Sequence, residues 1–144
     1  TLKAELGSGV RDAAMVSHAY AEATTVKISL IAGKAYGPVY TAFAGKGCSA
    51  DLVLAFADAQ ISALAPEAAV SLLWNDRLAA GEKREELVKE YALGPASVFE
   101  AAARGYVDDV IEPSELRSKL YLALEMLSGK RETGLAKKHS NMPL

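Results

Sequence analysis

The chain has 144 residues, 51% hydrophobic and 24% charged, a globular composition that suits one domain of about 150 residues. Sixteen Lys and Arg against 18 Asp and Glu leave a net charge of -2, so no basic excess exists to drive nucleic-acid binding by counterion release. The single cysteine, Cys48, excludes an internal disulfide framework and a Cys-rich zinc site, and no apolar run reaches the roughly 18 residues of a membrane span.

Residues 8–24 carry apolar or small side chains at Val10, Ala14, Ser17 and Ala21, with a second face through Met15, Ala19 and Ala23, which predicts a helix. Val26, Ile28 and Leu30 then alternate with Lys27 and Ser29 before Ile31 and Ala32, the pattern of a strand entering a core. Gly33 to Gly37 reads as a turn, and Pro38 suits the first position of a helix running to about Lys46. Leu52 to Phe56 and Gln60 to Ser62 read as two short strands around Ala57-Asp58-Ala59. Pro66 starts a helix through Trp74, and Glu82 to Tyr91 is a charged surface helix. Gly94-Pro95 breaks it, Ala96 to Arg104 forms another helix, and Tyr106 to Ile111 is a short strand. Pro113 opens the most amphipathic helix, with Leu116, Leu120, Ala123, Leu124 and Leu127 on one stripe and Gly129 at its end. The tail from Lys130 to Leu144 has no hydrophobic period but holds a basic cluster, Lys130, Arg131, Lys137 and Lys138, which is either solvated or laid along a neighbouring subunit. Helices alternating with four or five strands at most give an α/β domain with helices packed on sheets.

Charge is uneven: Val26 to Leu73 holds only six charged residues, which marks this stretch as the core and any active-site wall. His18 and His139 have no partners at metal-ligand spacing, so no metal is expected. Cys48 reads as a small packed residue, and Trp74 and Phe56 as core or interface aromatics. Two turns carry more information. Gly33-Lys34-Ala35-Tyr36-Gly37-Pro38 leads from a buried strand to a helix start, where free N–H groups suit an oxyanion, carboxylate or phosphate. Ala65-Pro66-Glu67 is a second start of the same kind. Each reads either as an anion site or as a structural turn.

At these turns, and again towards the C-terminus, the chain resembles a known family. The segments that carry the likeness are Ala19 to Thr24, Gly33 to Gly37, Ala50 to Phe56, Ile61 to Val70 and Arg104 to Asp109. It continues through Glu112-Pro113-Ser114, Lys130-Arg131-Glu132 and the ending Lys137 to Leu144. In order and spacing these resemble the C-terminal part of the carboxyltransferase subunit of biotin-dependent acyl-CoA carboxylases and of the related sodium-pump decarboxylases. The resemblance implies a partial crotonase-like fold made of strand-strand-helix units, with residues 1–144 forming the C-terminal portion of a carboxyltransferase domain and its N-terminal part missing. It implies transfer of a carboxyl group between carboxybiotin and an acyl-CoA, at a composite site shared with a partner chain.

Carried over residue by residue, the Gly37 and Val39 amides fall at an oxyanion hole. Tyr36, Pro38, Ala65, Pro66, Glu67 and Ala68 fall at the biotin-side pocket, and Thr41 where the family tunes acyl-chain choice. A thioester enolate and a biotin enolate both need N–H donors rather than a side-chain nucleophile. The implied partners are an N-terminal carboxyltransferase half or larger subunit, a biotin carboxyl carrier protein that bears the biotin, and acyl-CoA, whose phosphates the basic tail would approach. The assembly implied is a cytoplasmic homo-oligomer, with no nucleic acid, no membrane span and no metal. Many family members have Gly-Gly-Ala where this chain has Gly37-Pro38-Val39, and glycines where it has Ala65 and Ala68. Pro38 has no N–H to donate. Two other readings therefore stand beside the first: a degenerate structural or assembly subunit without biotin chemistry, and a crotonase-type acyl-CoA hydratase or isomerase with Glu67 as its general base.

Overall fold

A computed structural model describes residue 3, residues 6–43 and residues 45–132 of the chain. Helix α1, Gly9–Glu22, leads into strand β1, Ile28–Ile31. The junction is held by Lys27, 7% exposed, whose Nζ donates to the carbonyls of Tyr20 (3.0 Å) and Ala23 (2.7 Å). A cation there satisfies the orphan carbonyls of the helix end and opposes its negative pole.

Strand β2, Lys34–Tyr36, follows after two residues and feeds helix α2, Pro38–Ala42. The pattern then repeats. Strand β3, Leu52–Phe56, passes through a three-residue corner into β4, Gln60–Ser62, and on to helix α3, Pro66–Leu73. The two strand-strand-helix units lie side by side. β1 and β3 pair in parallel with Ile28 opposite Leu52 and Leu30 opposite Leu54. β2 and β4 pair in parallel with Lys34 opposite Gln60 and Tyr36 opposite Ser62. Strand β5, Asp109–Ile111, extends the first sheet to the order β1-β3-β5, whereas β2-β4 forms a two-stranded sheet of its own.

Lys34 to Tyr36 was expected as a turn and is a strand instead. The Gln60 N–H donates to the Gly33 carbonyl at 3.0 Å, which starts a ladder that three residues with only Ala35 as an apolar signal do not announce. Helix α2 stops at Ala42, short of Lys46, and Lys46–Cys48 forms a 3₁₀ turn. Gly45 and Gly47 lower helix propensity there. Gly45 also has no room for a Cβ, which would sit 2.8 Å from the Tyr40 carbonyl oxygen. A short helix not foreseen, α4 Asn75–Ala79, precedes α5, Arg84–Leu93. Helix α6, Val98–Ala103, is capped by the Ser97 hydroxyl, which accepts from the Glu100 N–H.

Two apolar cores result. Val53, Ala55, Ile61, Val98, Ala101 and Val107 pack between the sheets and α6. Ala69, Val70, Leu87, Tyr91 and Ala96 pack between α3 and α5. The last helix, α7 Leu116–Leu127, is docked by the Lys119 ammonium, which donates to Asp109 at 2.6 Å. Its inward face is Leu116, Leu120, Ala123 and Leu127. Leu124 departs from the expected stripe and is exposed, because it lies 100° round the helix from Ala123. No helix among the described residues is long and apolar enough to cross a membrane.

Candidate functional site

The parallel pair β2-β4 places two helix starts next to each other, at the carboxyl ends of adjacent strands. This is where ligands gather in open α/β sheets. Both helices have proline at their first position. Gly37 makes the first turn possible with φ +51 and ψ -122, a backbone conformation that is nearly glycine-only.

The amides of this turn are not equally available. The Gly37 N–H was expected as an oxyanion-hole donor, but it donates to the Ser62 carbonyl at 2.9 Å and prolongs the β2-β4 ladder by one residue. Pro38 has no N–H. The Tyr40 and Thr41 amides both turn back to the Gly37 carbonyl, at 3.1 and 3.2 Å. That leaves Val39 as the one amide of the α2 start without an acceptor among the described residues. At the second start the Ala68 and Ala69 amides both return to the Ala65 carbonyl at 2.9 Å, which leaves the Glu67 amide.

A cleft of about 850 Å³ opens between the two cores. Gly37, Pro38 and Thr41 line it from the α2 side, with Ser62 and Ala63 from the end of β4. Trp74 and Tyr91 line it from the second core, and Tyr40, Tyr106 and Arg104 complete it. Tyr36, Ala65, Pro66, Glu67 and Ala68 do not line this cleft. The Val39 side chain, 51% exposed, lines a separate groove of about 160 Å³ with Leu30 and Phe43. The Thr41 hydroxyl reaches the Gly37 carbonyl at 3.4 Å.

Several polar contacts order the residues in and around the cleft. The Tyr40 hydroxyl donates to the Tyr106 carbonyl at 2.8 Å and accepts from the Lys46 amide at 3.3 Å. Burial raises the Tyr40 phenol above its ordinary range, more than the Lys46 amide lowers it. Lys46 pairs with Asp108, whose other oxygen accepts from the Val53 amide at 2.9 Å. Burial alone would raise the Asp108 carboxyl. The Lys46 ammonium and the Val53 N–H outweigh it, and the carboxyl sits below its ordinary range. Tyr36, whose hydroxyl donates to Gln60, is raised by burial and then by the charge of Glu67.

Lys130 is not part of a free basic cluster. Its ammonium, 11% exposed, donates to both Asp51 oxygens at 2.8 and 2.9 Å and to the Thr25 carbonyl at 3.2 Å. Lys137 and Lys138 lie outside the described residues, as does the ending through Leu144. Among the described residues no group of three or more His, Cys, Asp or Glu converges on a point. Sequence reasoning missed Trp74, Tyr91, Arg104 and Tyr106 as cleft residues. Trp74 and Tyr91 also serve the second core, and their aromatic character signals packing as readily as binding.

Residues 3–142 match the carboxyl transferase domain family. The chain is similar to the carboxyltransferase subunit of propionyl-CoA carboxylase from Haloferax mediterranei, at 41% identity over 94% of this chain and 27% of that protein. It is equally similar to the alpha subunit of methylmalonyl-CoA decarboxylase from Propionigenium modestum, at 41% identity over 97% of this chain and 28% of that protein. Its fold superposes on transcarboxylase 12S, a hexamer crystallised with methylmalonyl-coenzyme A and methylmalonic acid bound. The TM-score is 0.89 at 38% identity, covering 100% of this chain and 28% of that one. The chain thus spans little more than a quarter of the length of the relatives it matches. A pair of strand-strand-helix units in a partial crotonase-like fold, matched almost end to end, makes this chain a member of the carboxyl transferase domain family.

Proposed function

We propose that this chain supplies one wall of a composite site that moves a carboxyl group between carboxybiotin and the α-carbon of an acyl-CoA. The observation that carries the reading is the match over residues 3–142, together with the superposition on transcarboxylase 12S. The remainder of the site comes from an N-terminal carboxyltransferase half or larger subunit, and biotin arrives on a separate carrier protein. The working form is a cytoplasmic homo-oligomer.

Biotin supplies a ureido group that carries the carboxyl. The cleft suits such a group, being walled in part by the aromatic side chains Trp74 and Tyr91. The chain's own contribution at the cleft is binding and exclusion of water; the Val39 and Glu67 amides, still open at the two helix starts, belong to residues that do not line it. An assay of carboxyl transfer from carboxybiotin to propionyl-CoA, with and without the co-expressed N-terminal partner, tests the proposal. Transfer is expected only when both are present.

A second reading has one observation in its favour. With the Gly37 amide spent on Ser62 and no N–H at Pro38, the α2 turn has lost two donors, as in a subunit kept for assembly. Absence of transfer in the complete assembly would select it. Nothing in the geometry favours a hydratase or isomerase, because Glu67 is exposed and lies outside the cleft.

A further inference from the structure

One phenol ties two margins of the cleft to each other. Tyr40 stands on α2, Tyr106 follows α6, and both line the cleft. The Tyr40 hydroxyl donates to the Tyr106 carbonyl, 66 residues away in the chain, at 2.8 Å. The two rings meet edge-on with centroids 6.5 Å apart. The same hydroxyl accepts from the Lys46 amide at 3.3 Å. The Tyr40 ring also lies against Gly45, where an added Cβ would come within 2.9 Å of Cζ and 3.0 Å of Cε1. Packing on the ring and two partners on the oxygen together fix where this side chain sits.

The far end of this tie is a rigid frame. Asp108 is joined to β3 twice: its amide donates to the Val53 carbonyl at 2.9 Å, and its carboxylate accepts from the Val53 amide at 2.9 Å. Val53 itself is fully buried. The other Asp108 oxygen pairs with the Lys46 ammonium, which brings the turn after α2 onto the same frame. The near end is not self-supporting. Helix α2 has five residues, Pro38–Ala42, far fewer than a helix needs to persist on its own in water. Three of the five, Pro38, Tyr40 and Thr41, line the cleft. Ala42 is buried and the Tyr40 ring packs on the edge of the first core. Without the phenol oxygen, α2 keeps these apolar contacts but loses its bond to the Tyr106 segment.

We propose that Tyr40 is a positioning residue for the carboxyl transfer proposed above. Its hydroxyl holds Pro38 and Thr41 at a set distance from the Tyr106 margin, so that the cleft is formed before a substrate enters it. The inference rests on the carboxyltransferase reading and is independent of which group occupies the cleft. A cleft that is formed only part of the time binds with its affinity reduced by that fraction, whereas saturating substrate restores the formed state. Loss of the tie therefore acts on KM and leaves kcat.

The test uses the complete protein carrying this chain, with two variants. Tyr40→Phe keeps the ring and removes the hydroxyl, and Lys46→Met removes the ion pair to the frame and keeps the phenol. Carboxyl transfer yields kcat and KM for propionyl-CoA and for biotin methyl ester, and calorimetry yields Kd for both. Hydrogen–deuterium exchange follows the peptides covering residues 38–43 and 104–108, with β3 as the internal reference. Tyr40→Phe is expected to raise at least one KM, and the matching Kd, about three- to fivefold with kcat nearly unchanged, the scale of one hydrogen bond. Exchange in both peptides is expected to quicken while β3 stays as it was. Lys46→Met is expected to move the same readouts in the same direction, by less, since the bond from Tyr40 to Tyr106 remains. Unchanged KM and Kd values in Tyr40→Phe would overturn the proposal, even with faster exchange, because the tie would then be structural alone. A fall in kcat at unchanged KM would also overturn it, by placing the phenol in the reaction itself. Should Tyr40→Phe fail to fold, Lys46→Met decides by the same readouts. Absence of transfer in the wild type defeats only the underlying reading, and the Kd and exchange measurements still decide this one.

Discussion

Asp51 ties three segments of the chain together. It accepts from the Lys27 amide at 2.7 Å and from the Lys130 ammonium with both oxygens, joining the end of α1, the start of β3 and the segment beyond α7. Burial pushes its carboxyl up, but the Lys130 and Lys27 donors outweigh that and hold it below the ordinary range. A carboxyl with a depressed folded value stabilises the fold above its unfolded value of about 3.9 and loses that contribution as pH falls further, through the folded value. Acid unfolding monitored by circular dichroism is therefore expected to begin at higher pH in Lys130→Met than in the wild type. Asp51→Ala strands the Lys27 amide and leaves Lys130 with only the Thr25 carbonyl and Glu132, and is expected to cost about 1–3 kcal/mol in urea unfolding at neutral pH. A loss below about 0.5 kcal/mol would mean that water replaces the carboxylate without penalty. Gly37 is the other single position with a clear cost. With φ +51, and with an added Cβ placed 3.1 Å from the Ala63 carbonyl oxygen, Gly37→Ala is expected to lose about 1–3 kcal/mol. Denaturant melts of the two proteins check it.

Among the elements, the two proline-led helices are the ones whose starts bear on chemistry. In α2, Pro38→Gly restores an N–H beside the open Val39 amide. If this turn stabilises a developing oxyanion, carboxyl transfer by the complete assembly is expected to rise, by as much as on the order of 10² for one added donor. An unchanged rate removes the α2 turn from the reaction. Helix α6 depends on its cap, since six residues make a helix too short to hold itself without one. Ser97→Ala removes the acceptor of the Glu100 amide and is expected to cost about 1 kcal/mol, read as a lower Tm. The cost should appear together with loss of the cleft's Arg104 margin, because Glu100 and Arg104 both belong to the turn that α6 presents.

Across the whole molecule, apolar surface is left uncovered in a way that one domain core does not explain. Helix α7 is apolar on nearly every side. Beyond its inward stripe, Tyr121, Leu122, Leu124 and Met126 are each more than half exposed, and Leu72, Leu73, Leu93 and Phe99 are too. A helix with this pattern is normally covered on both faces, and exposed apolar area on this scale marks an interface. The 144-residue chain alone is therefore expected to sediment as species larger than a monomer. Leu122→Glu with Met126→Glu is expected to shift it towards the monomer. A stable monomer of the unaltered chain would remove the argument.

What the sequence determined by itself is the local and the periodic. Strand β3, the helix starts at Pro38 and Pro66 and the inward stripe of α7 all follow from residue types at fixed spacing, because proline geometry and side-chain period act over a few residues. The ordered segments from Ala19 to Asp109 also carried family membership, since a set of matches in register cannot arise from composition. The pairing was decided only in three dimensions. β2 is three residues long with one buried side chain, Ala35, and exists because β4 lies beside it. That same pairing consumed the Gly37 amide, which reads as a free donor in the sequence. Lys130 likewise reads as one charge in a basic tail, and is 79 residues along the chain from the Asp51 carboxylate that it binds. The cleft between the two cores, walled by Trp74 and Tyr91, depends on contacts between elements far apart in sequence. Hydrogen-bond partners, and therefore which polar groups stay open to a ligand, are set by long-range packing, on which residue type and spacing are silent.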